Sequence, residues 1–270
     1  MSDQPVSVGS AWRPAPFIWL SGLGHGVALV WLVLVPQQWG WILTGLVLNH
    51  VVLASAGLWP RSTLLGVNRV RLSAEAIARG EIALTFDDGP DPTVTPQVLA
   101  ILAQYGVQAT FFCIGERVVK YPALCRSIIA AGHSIQNHGQ LHRWYTSLYG
   151  WSGWWQEVAG GQLAIEAITG QRPTYYRAMA GLRNPLLDPV LHRLGIELVS
   201  WTRRGFDTRN GNGDAVLARL THHLRAGDIL LLHDGHAAHT PSGEWMVLEV
   251  LPRLLDECRV RQLKPVVLTV

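Results

Sequence analysis

No Asp, Glu, Lys or Arg occurs between Arg13 and Arg61. An apolar run of that length without a charge belongs in hydrocarbon rather than against water. Residues 17–35 (FIWLSGLGHGVALVWLVLV) number 19, enough at about 1.5 Å per residue to cross about 30 Å of lipid core. Pro36, Gln37 and Gln38 interrupt the pattern, and residues 39–59 (WGWILTGLVLNHVVLASAGLW) form a second span. Trp19, Trp39, Trp41 and Trp59 lie near the span ends, where amphipathic rings favour the headgroup layer. The sequence therefore predicts a two-helix transmembrane hairpin over 17–59. A pair of buried core helices is disfavoured, because tandem uncharged stretches of this length are rare in soluble domains. Cleavage after Ala54-Ser55-Ala56 is the minor alternative, since only Arg13 precedes the apolar region and two spans exceed one leader. His25, Asn49 and His50 fall inside the spans and are expected to hydrogen-bond between the two antiparallel helices.

Flanking Lys and Arg set orientation. The connecting loop 36–40 has none, whereas Arg13 precedes the hairpin and Arg61, Arg69, Arg71 and Arg79 follow it. Both ends are thus expected in the cytoplasm: a tail at 1–16, a basic connector at 60–80, and a domain at 81–270 held on the inner face of the cytoplasmic membrane. The connector reads equally as a segment lying on the anionic surface or as a linker with a solvated Arg face. A net charge of +3 without any Lys/Arg run gives no argument for nucleic acid. Cys113, Cys125 and Cys258 are too few and too scattered for a disulfide framework or a Cys-based zinc site. Protein partners leave no signal.

From Glu81 onward short apolar runs alternate with helical patterns. Strands are expected at 82–86, 109–114, 133–137, 174–177, 197–202, 228–233 and 265–270, and helices at 95–105, 116–131, 152–169, 184–194, 214–225 and 245–261. Gly106, Gly132, Gly170 and Gly195 follow helices, the punctuation that left-handed C-caps need. Strands separated by single helices imply parallel pairing with right-handed crossovers. About seven such units point to an α/β fold closed as a distorted (β/α) barrel. No GxGxxG or Walker loop supports a nucleotide site.

In such a barrel the chemistry sits where strands end. Asp87 and Asp88 follow ALTF, Asn137, His138 and His142 follow HSIQ, Arg177 follows PTYY, Trp201 to Asp207 follow ELVS, and His233 and Asp234 follow ILLL. Each alone has an ordinary explanation: a turn, a surface pair, a packed ring. Five strand ends presenting carboxylate, imidazole, guanidinium and indole together form a site. His138 and His142 are four apart, a spacing that aims two imidazoles at one ion if the segment turns helically. A carboxylate from Asp87 or Asp88 completes a two-His, one-carboxylate set with positions open for water and substrate, and its neighbour is free to act as a base. His233 could protonate a leaving nitrogen. The set suits metal-assisted amide hydrolysis.

Thr85-Phe86-Asp87-Asp88-Gly89-Pro90, together with His138-x-x-x-His142, resembles the polysaccharide deacetylase family, the NodB homology domain of family 4 carbohydrate esterases. The resemblance runs from about Glu81 to the end. It implies a barrel of about seven strands that removes N-acyl groups from amino sugars with a divalent metal ion, zinc foremost, with cobalt, nickel or manganese as alternatives. It implies Asp87 as catalytic base, Asp88, His138 and His142 as metal ligands, Arg177 as the group orienting the base, and His233 as acid. Leu231 and Trp201 would line the acyl pocket.

The sequence also departs from the family pattern. The second motif is His138-Gly139-Gln140-Leu141-His142-Arg143 and lacks the hydroxyl that usually steadies the loop. The third is Arg177-Ala178-Met179-Ala180-Gly181, where Ala180 replaces a tyrosine but keeps the backbone N–H that serves the oxyanion. In the fourth, Trp201-Thr202-Arg203-Arg204-Gly205-Phe206-Asp207, Arg204 stands where many members carry the carboxylate that tunes the acid histidine, which leaves Asp207 as the candidate. Trp144, Tyr145, Leu148, Tyr149, Trp151, Trp154 and Trp155 crowd the segment after the metal histidines: a lid touching lipid, a sugar-stacking platform, or rings packed on the next helix. A cytoplasm-facing, membrane-held enzyme would meet a polyprenyl-phosphate-linked or other glycolipid amino sugar, acetylated or formylated. An outward-facing peptidoglycan or polysaccharide deacetylase is the runner-up, and a non-catalytic glycolipid-binding protein the reading from another class.

Overall fold

The computed structural model describes residues 11–269, so most of the expected tail at 1–16 lies outside the described residues. Proline shapes the N-terminal segment. Helix α1 (Pro16–Leu34) begins on Pro16, and the chain turns at Pro36 before helix α2 (Trp39–Leu58). Both helices are long and apolar enough to cross a membrane, and α1 buries none of its residues within the protein. They form a hairpin in which the Asn49 amide donates to the Ser21 hydroxyl at 2.8 Å. The histidines differ from the expectation. His25 and His50 bond back to carbonyls one turn earlier on their own helices, at Ser21 and Leu46, and meet each other edge to face at 5.1 Å. Each ring nitrogen uses the second lone pair of a carbonyl that its own helix places within reach.

The end of α2 is packed on the rest of the chain. Gly57 is buried, its carbonyl accepts the Arg183 N–H at 3.1 Å, and a Cβ there would strike the Arg183 carbonyl oxygen. The Pro60 carbonyl then accepts from the Ser200 hydroxyl (2.6 Å) and the Asn68 amide (2.9 Å).

Residues 60–80 fold onto the domain instead of lying apart from it. Arg69 and Arg71 make single β-bridges to Val199 and Asp228. Helix α3 (Ala74–Ala78) starts on a Ser73 cap that accepts the Ala76 N–H. Leu72 and Ala76 are buried in the core beside Val199, Trp201 and Leu231. Arg69 pairs with Glu197, Arg71 with Asp228 and Arg79 with Glu81, at 2.7, 2.8 and 2.6 Å. The partners of Arg69 and Arg71 lie far along the chain, which is why the segment reads as unpaired positive charge in sequence.

The barrel follows. Strand β1 (Glu81–Gly89) is followed by α4 (Thr95–Tyr105), β2 (Thr110–Cys113), α5 (Gly115–Lys120), α6 (Pro122–Ala130) and β3 (Ser134–Asn137). Then come α7 (Trp151–Thr169), β4 (Tyr175–Tyr176), α8 (Leu187–Leu194), β5 (Glu197–Leu198) and β6 (Arg203–Arg204). The chain ends with α9 (Gly213–Thr221), β7 (Ile229–His233), α10 (Met246–Val260) and β8 (Lys264–Val266). Sheet order is β5-β4-β3-β2-β1-β7-β6, all parallel, with β8 beside the start of β1. The strand expected at 197–202 is split: β5 pairs with β4, and the pairing with β7 falls to β6, just beyond the expected range. This stretch of chain therefore joins the two edges of the curled sheet. The helix expected at 116–131 breaks into α5 and α6, because Pro122 cannot donate to the helix ladder and drives Tyr121 to φ −125°, ψ 57°.

From Ile82 onward every residue of β1 is buried, as a central parallel strand covered on both faces requires. Phe86 stacks on Phe111 at 5.0 Å, and Val247, Leu251, Leu254 and Leu255 of α10 pack against this layer. All strands point the same way, so their C-terminal ends gather side chains from distant parts of the sequence on one rim.

Candidate active site

The register of the central strands sets Asp87 opposite His233 and Thr85 opposite Leu231. Asp88 then turns into the left-handed region (φ 71°), a conformation that Asp tolerates better than most residues. The two adjacent carboxylates are thereby sent to different partners.

The Asp88 Oδ1 lies 3.2 Å from His138 Nε2 and 3.2 Å from His142 Nε2. One ligand atom from each of the three residues lies within 4.8 Å of the others. His138 Nδ1 is 2.8 Å from the Arg177 carbonyl oxygen, so that nitrogen carries the proton and Nε2 offers its lone pair. The Nε2 of His142 is buried without a hydrogen-bond partner. A carboxylate oxygen and an imidazole lone pair thus converge on a further buried ring nitrogen. Such a set fits a divalent cation, and a backbone carbonyl orienting the ligand histidine is the usual outer support. Burial works to raise the Asp88 pKa, but His138 and His142 hold it well below the carboxylate range. Burial pushes His142 down to about 4.

The segment carrying the two histidines is not helical. Gly139 sits at φ 92° and His142 at φ 54°, and the imidazoles converge through an irregular turn. Two groups hold that turn, of which only Asn137 stood out in the sequence. The buried Glu157 carboxylate of α7 accepts the N–H of His142 at 2.7 Å and of Leu141 at 3.1 Å. Asn137 Oδ1 accepts the Gly139 N–H at 2.8 Å. Together they replace the missing hydroxyl of the motif. Only glycine fits at 139, since a Cβ would run into the Glu157 carboxylate. A lone acid on the otherwise apolar start of α7 is the signal that could have revealed Glu157.

Arg177 is wholly buried, its guanidinium 4.0 Å from the centre of the Phe112 ring. One nitrogen donates to both Asp87 Oδ1 and the Thr85 hydroxyl at 2.7 Å, and the others reach the carbonyls of Val199 (3.3 Å) and Ser200 (3.2 Å). The second Asp87 oxygen lies 3.7 Å from His138 Nε2. His233 Nδ1 is 2.9 Å from Asp207 Oδ1, and Asp207 Oδ2 accepts the His233 backbone N–H at 2.8 Å. Burial alone would lower the His233 pKa, but the fully buried Asp207 carboxylate raises it overall.

Ala180 (φ 51°, ψ 13°) faces the same cleft, a space of about 170 Å³ also lined by Asp87, His142, Trp201, Leu231 and His233. All the expected site residues therefore meet at one rim. His236 reaches 3.8 Å from Asp88 Oδ2 while largely exposed. Asp234 also belongs to this rim. It is fully buried, accepts the Thr95 hydroxyl at 2.5 Å, and is pushed up to about 7 by burial. It lies where a Cβ on Gly89 would be, so it backs the turn that carries Asp88.

The aromatic segment is divided. Trp154 is buried and donates to Asn184 Oδ1 at 2.9 Å. Trp144 and Leu148 are 78% and 79% exposed, and Trp151 and Trp155 are partly exposed. The Asn184 amide donates to the carbonyls of Ser147 (2.9 Å) and Tyr149 (2.8 Å), tying this segment to the residue that follows Arg183.

A parallel barrel with a two-His, one-carboxylate cluster beside a guanidinium-held aspartate is the architecture of a metal-dependent hydrolase. The sequence profile of the polysaccharide deacetylase family matches residues 75–199. A peptidoglycan-N-acetylglucosamine deacetylase of Bacillus cereus is 36% identical over 156 residues, covering 57% of this chain and 72% of the relative. A chitooligosaccharide deacetylase of a Bradyrhizobium species is 34% identical over 164 residues, covering 60% and 73%. The family 4 carbohydrate esterase of Streptomyces lividans, solved with acetate, superposes with a TM-score of 0.62 at 29% identity, over 69% of this chain and 91% of that one. The chain belongs to the polysaccharide deacetylase family and is a deacetylase of that class. Its relatives' metal dependence agrees with the cluster described above.

Replacing Glu157 by Ala removes the acceptor that holds two amides of the metal-binding turn. The expected result is a folded protein whose metal affinity falls about 10–100-fold, read by competition with a chelator. Wild-type affinity would show that the turn stands without it.

Proposed function

We propose that the chain is a divalent-metal-dependent N-deacetylase that removes an acetyl or formyl group from an amino sugar carried on a polyprenyl phosphate or similar lipid. The observation that carries the reaction is the joint placement of three prepared groups in one cleft: Asp87 on Arg177, the Asp88/His138/His142 cluster, and His233 on Asp207.

Asp88, His138 and His142 hold the metal. When bound, the divalent cation supplies Lewis-acid polarisation of the amide carbonyl and a more acidic water; zinc heads the expected order. Arg177 keeps one oxygen of Asp87 occupied, so the other is the one that takes a proton from the attacking water. The Ala180 N–H donates to the oxygen as it gains negative charge. Leu231 and Trp201 enclose the acyl group. His233, its Nδ1 proton engaged by Asp207, gives a proton from Nε2 to the amine nitrogen as the C–N bond breaks. Water's oxygen ends on the acyl carbon, and the products are a carboxylate and a free amino sugar.

The lipid-linked substrate is supported by position. The wall of the cleft that includes Ala180 continues into Arg183, which is hydrogen-bonded to the last turn of α2. Asn184 links the same wall to the segment with exposed Trp144 and Leu148. Trp59 at the end of α2 is 62% exposed, in keeping with an aromatic belt at a lipid surface. On this reading 17–59 is the anchor and 81–270 the catalytic domain, with the Arg residues after α2 favouring the cytoplasmic side. The second reading, an outward-facing enzyme acting on wall polymer, is favoured by the relatives' action on peptidoglycan and chitooligosaccharides.

Purified enzyme given lipid-linked and polymeric N-acyl sugars side by side is expected to release free amine faster from the lipid-linked form; the opposite order selects the second reading. A reporter fused after residue 270 is expected to be active only as a cytoplasmic protein, and an external signal would overturn the assigned side. Asp87→Asn should keep fold and metal and lose at least about 100-fold in kcat; near-normal turnover would remove its role as base. Asp207 raises the His233 pKa, and the acid must be protonated to act. Asp207→Asn therefore moves the alkaline limb of the kcat/KM profile to lower pH, and a limb that stays in place would sink the pairing.

A further inference from the structure

Two adjacent arginines of β6 have opposite fates. Arg203 is satisfied: it pairs with Asp228 at 3.1 Å and donates to the His223 carbonyl at 2.6 Å. Arg204 is in register with Leu231 and lines the deacetylation cleft together with Arg209. Its guanidinium stacks between rings, 5.5 Å from the centre of Trp201 and 4.9 Å from that of Phe206. Its Nε is buried without a hydrogen-bond partner. Among the described residues no carboxylate forms an ion pair with Arg204 or Arg209.

The negative groups nearby are already matched. Asp87 is held by Arg177, Asp207 by His233, and Asp88 by the histidine cluster. A partly desolvated guanidinium without a counter-charge is costly, and its planar fork fits a phosphate. A neutral glycan offers it hydroxyl and carbonyl acceptors but no counter-charge. In a 2-acylamino sugar one of the two ring carbons beside the one bearing the amide is the anomeric carbon. A substituent there lies only a few bonds from the acyl group, and Arg204 stands beside Trp201, the expected wall of the acyl pocket.

We infer that Arg204, with Arg209 beside it, forms a phosphate subsite that selects amino sugars carrying a phosphate ester on the anomeric carbon. The inference rests on the deacetylase reading and narrows its substrate. It also gives the ring contacts a purpose: Trp201 and Phe206 flank the guanidinium beside the cleft.

The test uses the full-length metal-loaded enzyme and four probes: methyl N-acetylglucosaminide, N-acetylglucosamine 1-phosphate, its isoprenyl diphosphate ester, and N-acetylmuramic acid. The reading is the ratio of kcat/KM for each charged probe to that for the methyl glycoside, by amine release. Wild type is expected to favour the phosphorylated probes. Arg204→Met should cut that preference about 10–100-fold, the range of one or two charge-assisted hydrogen bonds, and Arg204→Lys should keep most of it. Preference for the isoprenyl ester assigns a lipid carrier, and preference for the free 1-phosphate a soluble sugar phosphate; both support the subsite. Equal losses on charged and neutral probes would make Arg204 only a prop for Trp201 and overturn the inference. So would preference for the muramic carboxylate, or no phosphate preference in wild type. No amine from any probe would instead sink the deacetylase reading itself.

Discussion

The Arg177 guanidinium is the fixed point of this molecule. It touches β1 through Thr85 and Asp87, β2 through the Phe112 ring, and the barrel-closing segment through the carbonyls of Val199 and Ser200. Its own carbonyl accepts the hydrogen bond from His138 Nδ1. One residue thereby fixes one oxygen of Asp87, the orientation of the His138 ring and the meeting of the sheet's two edges. A buried ion pair is poor value for stability, because desolvation offsets attraction. Here the remaining guanidinium donors are satisfied as well, by Thr85 and the carbonyls of Val199 and Ser200. Burial lowers the Arg177 pKa overall, with Asp87 acting in the opposite direction.

Much of the site was legible because its residues are local. The sequence TFDDGP puts two carboxylates at the end of one strand, and His138 and His142 lie within one turn of chain. The hairpin was legible for a simpler reason, the absence of charge between Arg13 and Arg61. Other features were hidden because their causes lie far apart in sequence. Glu157 supports the metal turn from the next helix, and Arg69 and Arg71 find their acids over a hundred residues later, as the 128- and 157-residue separations show. The break between α5 and α6 was available in Pro122, where a steric rule outweighs helical periodicity. The splitting of the strand at 197–202 follows from closure of the sheet, which no local pattern encodes.

Fold and chemistry part company among the neighbours. A Bacillus anthracis protein described as a pseudoenzyme of this carbohydrate esterase family superposes with a TM-score of 0.66 at 19% identity, over 75% of this chain and 67% of that one. That likeness concerns the barrel alone. Catalysis depends on which side chains occupy the strand ends, and here Asp87, the Asp88/His138/His142 cluster and His233 each have a defined partner.

The junction at Gly57 has a mechanical consequence. A hydrolase hung on a loose tether sweeps a hemisphere and can work along a strand far from its anchor. Here the last turn of α2 is clamped to Arg183 and the following chain is stitched to Ser200 and Glu197, leaving no slack to pay out. With α1 and α2 in a membrane, as proposed above, such a barrel would not swivel away from its stalk; its working volume would be a thin slab, and encounters would be governed by lateral diffusion of whatever glides past.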